Sequence, residues 1–139
     1  MGPVIVDTSV WSLALRRRRK DLSQEQRALE LLLRDLIIAG DAVLLGAIRQ
    51  EILTGILDSE VFERMSTHLR DFDDLSPDPD EYERAASFAN ECTRHGIAPT
   101  PIDMLLCAVA SGRDLPLLTL DQDFEHYAKH LPIRLFLQN

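Results

Sequence analysis

Five carboxylates stand at places where folding could gather them: Asp7, Glu51, Asp103, Asp121 and Asp123. Each lies beside a short apolar run or in a helical pattern, and they come from four separate segments. Like charges about 4 Å apart repel by roughly 1 kcal/mol in water and by several times that in a partly buried cleft. Such a cluster must take up protons or be neutralised by a cation. A site of carboxylates without Cys or His suits a hard ion, Mg²⁺ or Mn²⁺. Two such ions about 3.5–4 Å apart can activate water and stabilise the leaving oxygen of a phosphodiester. No other chemistry is signalled: the chain has no Gly-x-Ser-x-Gly elbow, no glycine-rich phosphate loop and no His-Glu-x-x-His.

Each acid also has a plainer role. Asp7 suits the N-cap of a following helix. Asp103 lies three residues after Thr100 and could complete a capping box. Asp121 or Asp123 could cap the helix after them, and Glu51 could be a solvated helix carboxylate. The apolar neighbours Ile48, Ile52 and Leu53 favour partial burial of Glu51. The constellation carries more weight than any member.

The elements that must position these residues follow from patterning. Val4, Ile5 and Val6 form a β-branched run ending at Asp7, which reads as a buried strand. A helix follows, with Thr8 or Ser9 as its cap. Ser23 and Gln26 form a capping box for a second helix over 23–39, whose Leu29, Leu32, Leu33, Leu36 and Ile37 share one face. Gly40 stops it. Strands are expected at 42–45, 72–75, 117–119 and 133–137. Helices are expected at 48–53, 59–69, 80–95, 100–112 and 123–130, with Thr100-Pro101 a strong start signal. Strand–helix alternation over the whole length predicts a parallel sheet covered by helices on both faces. In such sheets the ligand crevice lies beyond the carboxyl ends of the strands. Asp7, Asp121 and Asp123 fall there directly, Glu51 lies in the helix entered from the second strand, and Asp103 reaches the crevice only if its helix begins there.

The 139 residues fit one domain, 1–139, with 45% hydrophobic and 27% charged residues. No apolar run reaches the roughly 20 residues of a membrane span, and no signal peptide is recognisable at the N-terminus. Cys92 and Cys107 are too few and too distant for a disulfide framework, and read as buried small hydrophobes of a cytoplasmic protein. A net charge of −8 argues against general nucleic-acid binding. Against that stands one basic run, Arg16, Arg17, Arg18, Arg19 and Lys20, which is either a solvated helix end or a local RNA phosphate contact. Trp11 reads as core or interface packing, and most of the four histidines, in helices or at their ends, as solvated.

Four motifs in order, Val-Asp-Thr-Ser-Val-Trp at 6–11, Gln-Glu-Ile-Leu-Thr-Gly at 50–55, Asp-Met-Leu-Leu-Cys-Ala-Val-Ala at 103–110 and Leu-Thr-Leu-Asp-Gln-Asp-Phe at 118–124, resemble the PIN domain, specifically the VapC-type toxin ribonucleases of toxin–antitoxin modules. The resemblance covers essentially the whole chain. It implies a three-layer α/β/α sandwich with a central parallel sheet. It also implies a Mg²⁺- or Mn²⁺-dependent endoribonuclease, dimeric and held by a cognate VapB-type antitoxin. Carried over by position, Asp7 and Asp103 match direct metal ligands, and Glu51 matches an acid acting through water. Asp121 matches the fourth acidic place and Asp123 the Asp of the Asp-Phe pair, with the division of labour between them open. Thr8, Ser9 and Thr119 match supporting hydroxyls, though capping and strand ending explain them equally well. The implied reaction is hydrolysis leaving 5′-phosphate and 3′-hydroxyl ends. The antitoxin is expected along a hydrophobic groove, and Ala28, Leu31 and Ile38 widen the apolar surface of the second helix towards a groove or a dimer face; burial between neighbouring helices is the alternative.

Other classes fit less well. A haloacid-dehalogenase-like phosphotransferase needs a second Asp two residues after Asp7, where Ser9 stands. A receiver module needs a phospho-accepting Asp after the third strand, which Ser76-Pro77-Asp78 matches poorly. A PIN-fold binding scaffold without nuclease activity would not need the full acid set.

Overall fold

The computed structural model describes residues 2–16 and 18–136, the side chains of Arg16 and Arg19 excepted. Four parallel strands form the sheet: β1 (Val4–Val6), β2 (Ala42–Leu45), β3 (Asp74–Leu75) and β4 (Leu117–Leu118), in the order β3-β2-β1-β4. β1 is buried at every position, as its apolar composition requires of a strand paired on both edges. Ile5 sits opposite both Val43 and Leu117, which sets the register of the centre.

Around the sheet lie α1 (Thr8–Arg16), α2 (Gln24–Ala39), α3 (Gly46–Leu53), α4 (Ser59–Leu69), α5 (Pro79–Arg94), α6 (Pro101–Gly112) and α7 (Asp123–Ala128). The chain steps from β1 to β2 to β3 in one direction, then returns past β1 to β4. Right-handed crossovers therefore put α1–α4 on one face and α5–α7 on the other, giving the three-layer α/β/α sandwich. The reversal falls between β1 and β4, where connections leave in opposite directions and open a crevice at the strands' carboxyl ends.

Local signals account for most boundaries. Ser23 and Gln26 make the capping box of α2, and Gly40 ends that helix at φ 75°, a left-handed conformation that glycine adopts without a Cβ clash. Asp78 and Glu81 cap α5 in the same reciprocal way, and Pro79 takes its first turn. α6 is buried at every residue from Met104 to Ala110, the all-round burial of a helix held between α5 and the sheet. Arg113 at its C-terminal end makes two hydrogen bonds to the buried Glu81 carboxylate, at 2.7 and 2.8 Å, latching α6 to the start of α5.

Three elements fall short of expectation by two residues or more. β3 begins at Asp74 because Phe72 donates its N–H back to Leu69, while its carbonyl is taken by the Arg49 guanidinium at 2.7 Å. α7 ends at Ala128, and His130 and Leu131 both close turns onto Tyr127. The strand expected at 133–137 is a single parallel bridge, Leu117 to Leu135; β4 offers only two residues to pair with, and Leu137 lies outside the described residues. Trp11 is core, as expected, donating its indole N–H to the Val6 carbonyl and meeting Phe72 edge-on at 5.0 Å. Both cysteines are free and buried. Ala28, Leu31 and Ile38 are exposed, Ile38 at 78%, so burial between helices does not explain them.

Candidate active site

β1 delivers Asp7 to the crevice, α3 delivers Glu51, the first turn of α6 delivers Asp103, and the turn from β4 into α7 delivers Asp121 and Asp123. All five carboxylates line one pocket of about 530 Å³, together with Thr8, Ser9, Thr100, Pro101 and Ile102. No Lys or Arg among the described residues lines it. The N-terminus of α6 does point into the crevice, a matter the sequence leaves open.

Asp7 is 4% exposed and tightly held. Its Oδ2 accepts from the Ser9 hydroxyl at 2.7 Å and from the Thr119 hydroxyl at 2.8 Å. Each hydroxyl is anchored in turn: Ser9 Oγ accepts the Leu120 N–H and Thr119 Oγ1 accepts the Asp121 N–H, both at 2.9 Å. The loop carrying Asp121 is thereby tied to Asp7, and Asp7 Oδ1 makes no hydrogen bond among the described residues. Asp7 does occupy the N-cap position of α1, because its carbonyl accepts the Trp11 N–H at 3.3 Å. Its carboxylate, however, bonds hydroxyls in preference to the helix backbone, the Ser9 N–H being 3.4 Å away. Thr8 donates its hydroxyl to Glu51 Oε1, and Asp121 Oδ1 accepts the Asp123 N–H at 2.9 Å. Thr119 sits behind Asp7 rather than on the pocket wall.

Asp103 shows the electrostatic strain of the cluster. Burial first, and the charges of Asp7 and Asp121 after it, push its carboxyl up to about 6, against the neighbouring Thr100 and Tyr127 hydroxyls, which favour the ionised form. Burial and the Asp103 charge also raise the Tyr127 phenol and the Cys107 thiol above their usual ranges. A dense group of oxygen donors, with no cationic side chain among the described residues lining it, suits a hard divalent ion. As the side chains stand, no three such groups among the described residues are close enough to ligate one ion together. Mutual repulsion spreads uncompensated carboxylates, and a bound cation would have to draw them in.

Of the basic run, Arg18 and Lys20 are exposed and do not line the pocket, and Arg18 pairs with Asp21 at 3.4 Å. Arg17 and the side chains of Arg16 and Arg19 lie outside the described residues. Sequence reading assigns nothing to Tyr127, whose phenol reaches Asp103 Oδ2 at 3.1 Å. The available signal is the Phe124-x-x-Tyr127 spacing, which puts a polar-tipped ring on the buried face of the helix next to Asp123. Sequence reading also leaves His95 and His130 as separate solvated residues; they stack at 3.9 Å.

Comparison with known proteins gives the fold an independent footing. FitAcB from Neisseria gonorrhoeae is similar with a TM-score of 0.73 at 20% identity, covering 96% of either chain. VapBC2 from Rickettsia felis, bound to a DNA fragment from its promoter, aligns with a TM-score of 0.72 at 12% identity over 98% of either chain. VapBC-5 from Mycobacterium tuberculosis, a member of the VapBC family of toxin–antitoxin systems, gives 0.68 at 18% identity, again over 98% of each. No curated protein matches the chain. Residues 4–130 match the PIN domain, so every strand, helix and pocket carboxylate described above lies within the matched span, and the chain belongs to the PIN domain family.

Proposed function

We propose that this chain is a divalent-metal-dependent endoribonuclease that hydrolyses RNA phosphodiester bonds as the toxin of a type II toxin–antitoxin module. The observation that carries the reading is the five-carboxylate pocket at the carboxyl ends of β1 and β4, in a PIN domain. The similar structure VapBC-5 is a member of the VapBC family of toxin–antitoxin systems, and VapBC2 shares that name, which supports the biological setting.

In this reading residues 1–139 act as one nuclease domain in the cytoplasm. Asp7 and Asp103 hold Mg²⁺ or Mn²⁺ directly, with Asp121 and Asp123 completing the acidic wall. Once bound, the ion supplies charge stabilisation at the phosphate and an activated water. Asp7 is pre-oriented, since Ser9 and Thr119 both donate to one oxygen and leave the other without a hydrogen bond among the described residues. Glu51, hydrogen-bonded by Thr8, would take a proton from water in the same pocket. The acid wall repels an approaching phosphate until a cation is present, which makes activity conditional on metal. Arg16, Arg17, Arg18, Arg19 and Lys20 supply the local positive charge that holds RNA. A VapB-type antitoxin covers apolar surface such as that around Leu31 and Ile38, and the chain works as a homodimer. No helix among the described residues is long and apolar enough to cross a membrane.

The test is to incubate the purified chain with end-labelled transfer and ribosomal RNAs in Mg²⁺, Mn²⁺ or EDTA and to map the cut ends. Cleavage should need metal, leave 5′-phosphate and 3′-hydroxyl ends, and disappear in Asp7→Ala and Asp103→Ala proteins that keep their circular dichroism. Cleavage that persists in EDTA, or at full rate in either folded variant, contradicts the proposal.

A further inference from the structure

Both acids proposed above as direct ligands are held from behind by hydroxyl groups. For Asp7 these are Ser9 and Thr119. For Asp103 the hydroxyl comes from a different element, while Thr100, at the N-cap of its own helix, accepts the Asp103 backbone N–H at 3.3 Å. Tyr127 lies on α7, one turn beyond Asp123, and is 1% exposed. Its ring packs edge-on against Phe124 at 5.2 Å, a contact that phenylalanine would make equally well. Its oxygen needs a polar partner once buried. The bond it makes among the described residues is to Asp103 Oδ2, at 3.1 Å.

That bond crosses from α7 to α6. The same short helix begins at Asp123, just after Asp121, so Tyr127 links the element bearing Asp121 and Asp123 to the carboxylate of Asp103. We propose that Tyr127 is a positioning residue for the metal site, its buried hydroxyl fixing the orientation of Asp103 and its spacing from Asp121 and Asp123. This rests on the metal-dependent reading given above. Held carboxylates bind an ion more tightly than free-swinging ones, and removing a group that orients a ligand typically weakens metal affinity about 10–100-fold.

The test is Tyr127→Phe, which keeps the ring and removes only the oxygen. Mn²⁺ alone is titrated into the metal-free protein and free Mn²⁺ is read by electron paramagnetic resonance, so the readout is binding rather than turnover. Phe124→Leu, which loosens the same helix without touching the hydroxyl, serves as the packing control. The proposal expects Tyr127→Phe to bind Mn²⁺ about 10–100-fold more weakly than the parent, with Phe124→Leu close to the parent. Equal affinity in Tyr127→Phe and parent overturns it, as does equal weakening in both variants. A Tyr127→Phe protein that no longer folds also overturns it, since the hydroxyl would then be a structural group. Failure of the parent itself to bind Mn²⁺ would instead remove the metal reading and this inference with it, and so is told apart from failure of the tyrosine alone.

Discussion

Replacing Asp103 by asparagine should make the metal-free protein more heat-stable while removing most of its response to Mn²⁺. Asp103 has its carboxyl raised from 3.8 to about 6, chiefly by burial and then by Asp7 and Asp121. A carboxyl raised on folding contributes stability below its unfolded value and loses it as pH rises through the folded one, here about 6. At pH 8 the ionised group is therefore a liability. The gap between 3.8 and about 6 corresponds at full weight to about 3 kcal/mol. Asp103 retains solvent contact, which screens this to about 1–2 kcal/mol. Asparagine keeps an acceptor for the Tyr127 hydroxyl, but it gives up the anion that the first turn of α6 favours, about 0.3–1 kcal/mol. The net gain is about 1 kcal/mol, or roughly 2–4 °C in Tm. Free Mn²⁺ at a hundred times its Kd should stabilise the parent by about 2.7 kcal/mol and the variant by little. Thermal melts at pH 8 should thus place the variant above the parent in EDTA and below it in Mn²⁺. Below about pH 5 in EDTA the difference should shrink as Asp103 takes up its proton. An asparagine variant that melts below the parent in EDTA at pH 8, or that gains as much from Mn²⁺, would refute the reasoning.

Thr119→Val removes both the donor to Asp7 and the acceptor for the Asp121 N–H, so Mn²⁺ affinity and RNA cleavage should each fall about 10–100-fold, with Thr119→Ser close to the parent; unchanged values would leave the hydroxyl as a mere strand ending. Arg113→Ala strands the buried Glu81 carboxylate; the loss of about 3–5 kcal/mol for a fully buried pair is screened by the 38% exposure of the Arg113 side chain to about 2–3 kcal/mol in urea melts at pH 7. The Arg113 hydrogen bonds hold Glu81 below its ordinary 4.5, so this stability is present above 4.5 and is lost as pH falls through the lowered folded value; the gap between parent and variant should narrow in acid, and a gap independent of pH would contradict that cause. Neutralising Arg16, Arg18 and Lys20 to Gln should flatten the salt dependence of RNA binding, and an unchanged slope would return the basic run to a solvated helix end.

Much of the site can be read from sequence because its key residues sit where local rules operate. Asp7 ends an apolar β-branched run, and Thr100-Pro101 announces the helix whose first turn carries Asp103. Strand–helix alternation then implies a parallel sheet and a crevice at its carboxyl edge. What stays hidden is long-range. Nothing local says that Thr119 donates to a residue 112 positions earlier, or that Tyr127 turns its oxygen toward α6. β3 is short because Arg49, from a different helix, claims the Phe72 carbonyl and pairs with Asp74 at 2.8 Å. The Thr8 and Ser9 hydroxyls suit helix capping as well as a carboxylate network, and only the tertiary structure brings Glu51 within reach of Thr8.

The central claim, that separate segments build one cation site, is tested most directly by diffraction from crystals grown with Mn²⁺, recorded where its anomalous signal is strong. The account predicts an anomalous peak roughly 2.0–2.2 Å from carboxylate oxygens of both Asp7 and Asp103, with Asp121 or Asp123 drawn toward it. No peak there at saturating Mn²⁺, or a peak held by other residues while Asp7 and Asp103 stay apart, would contradict it.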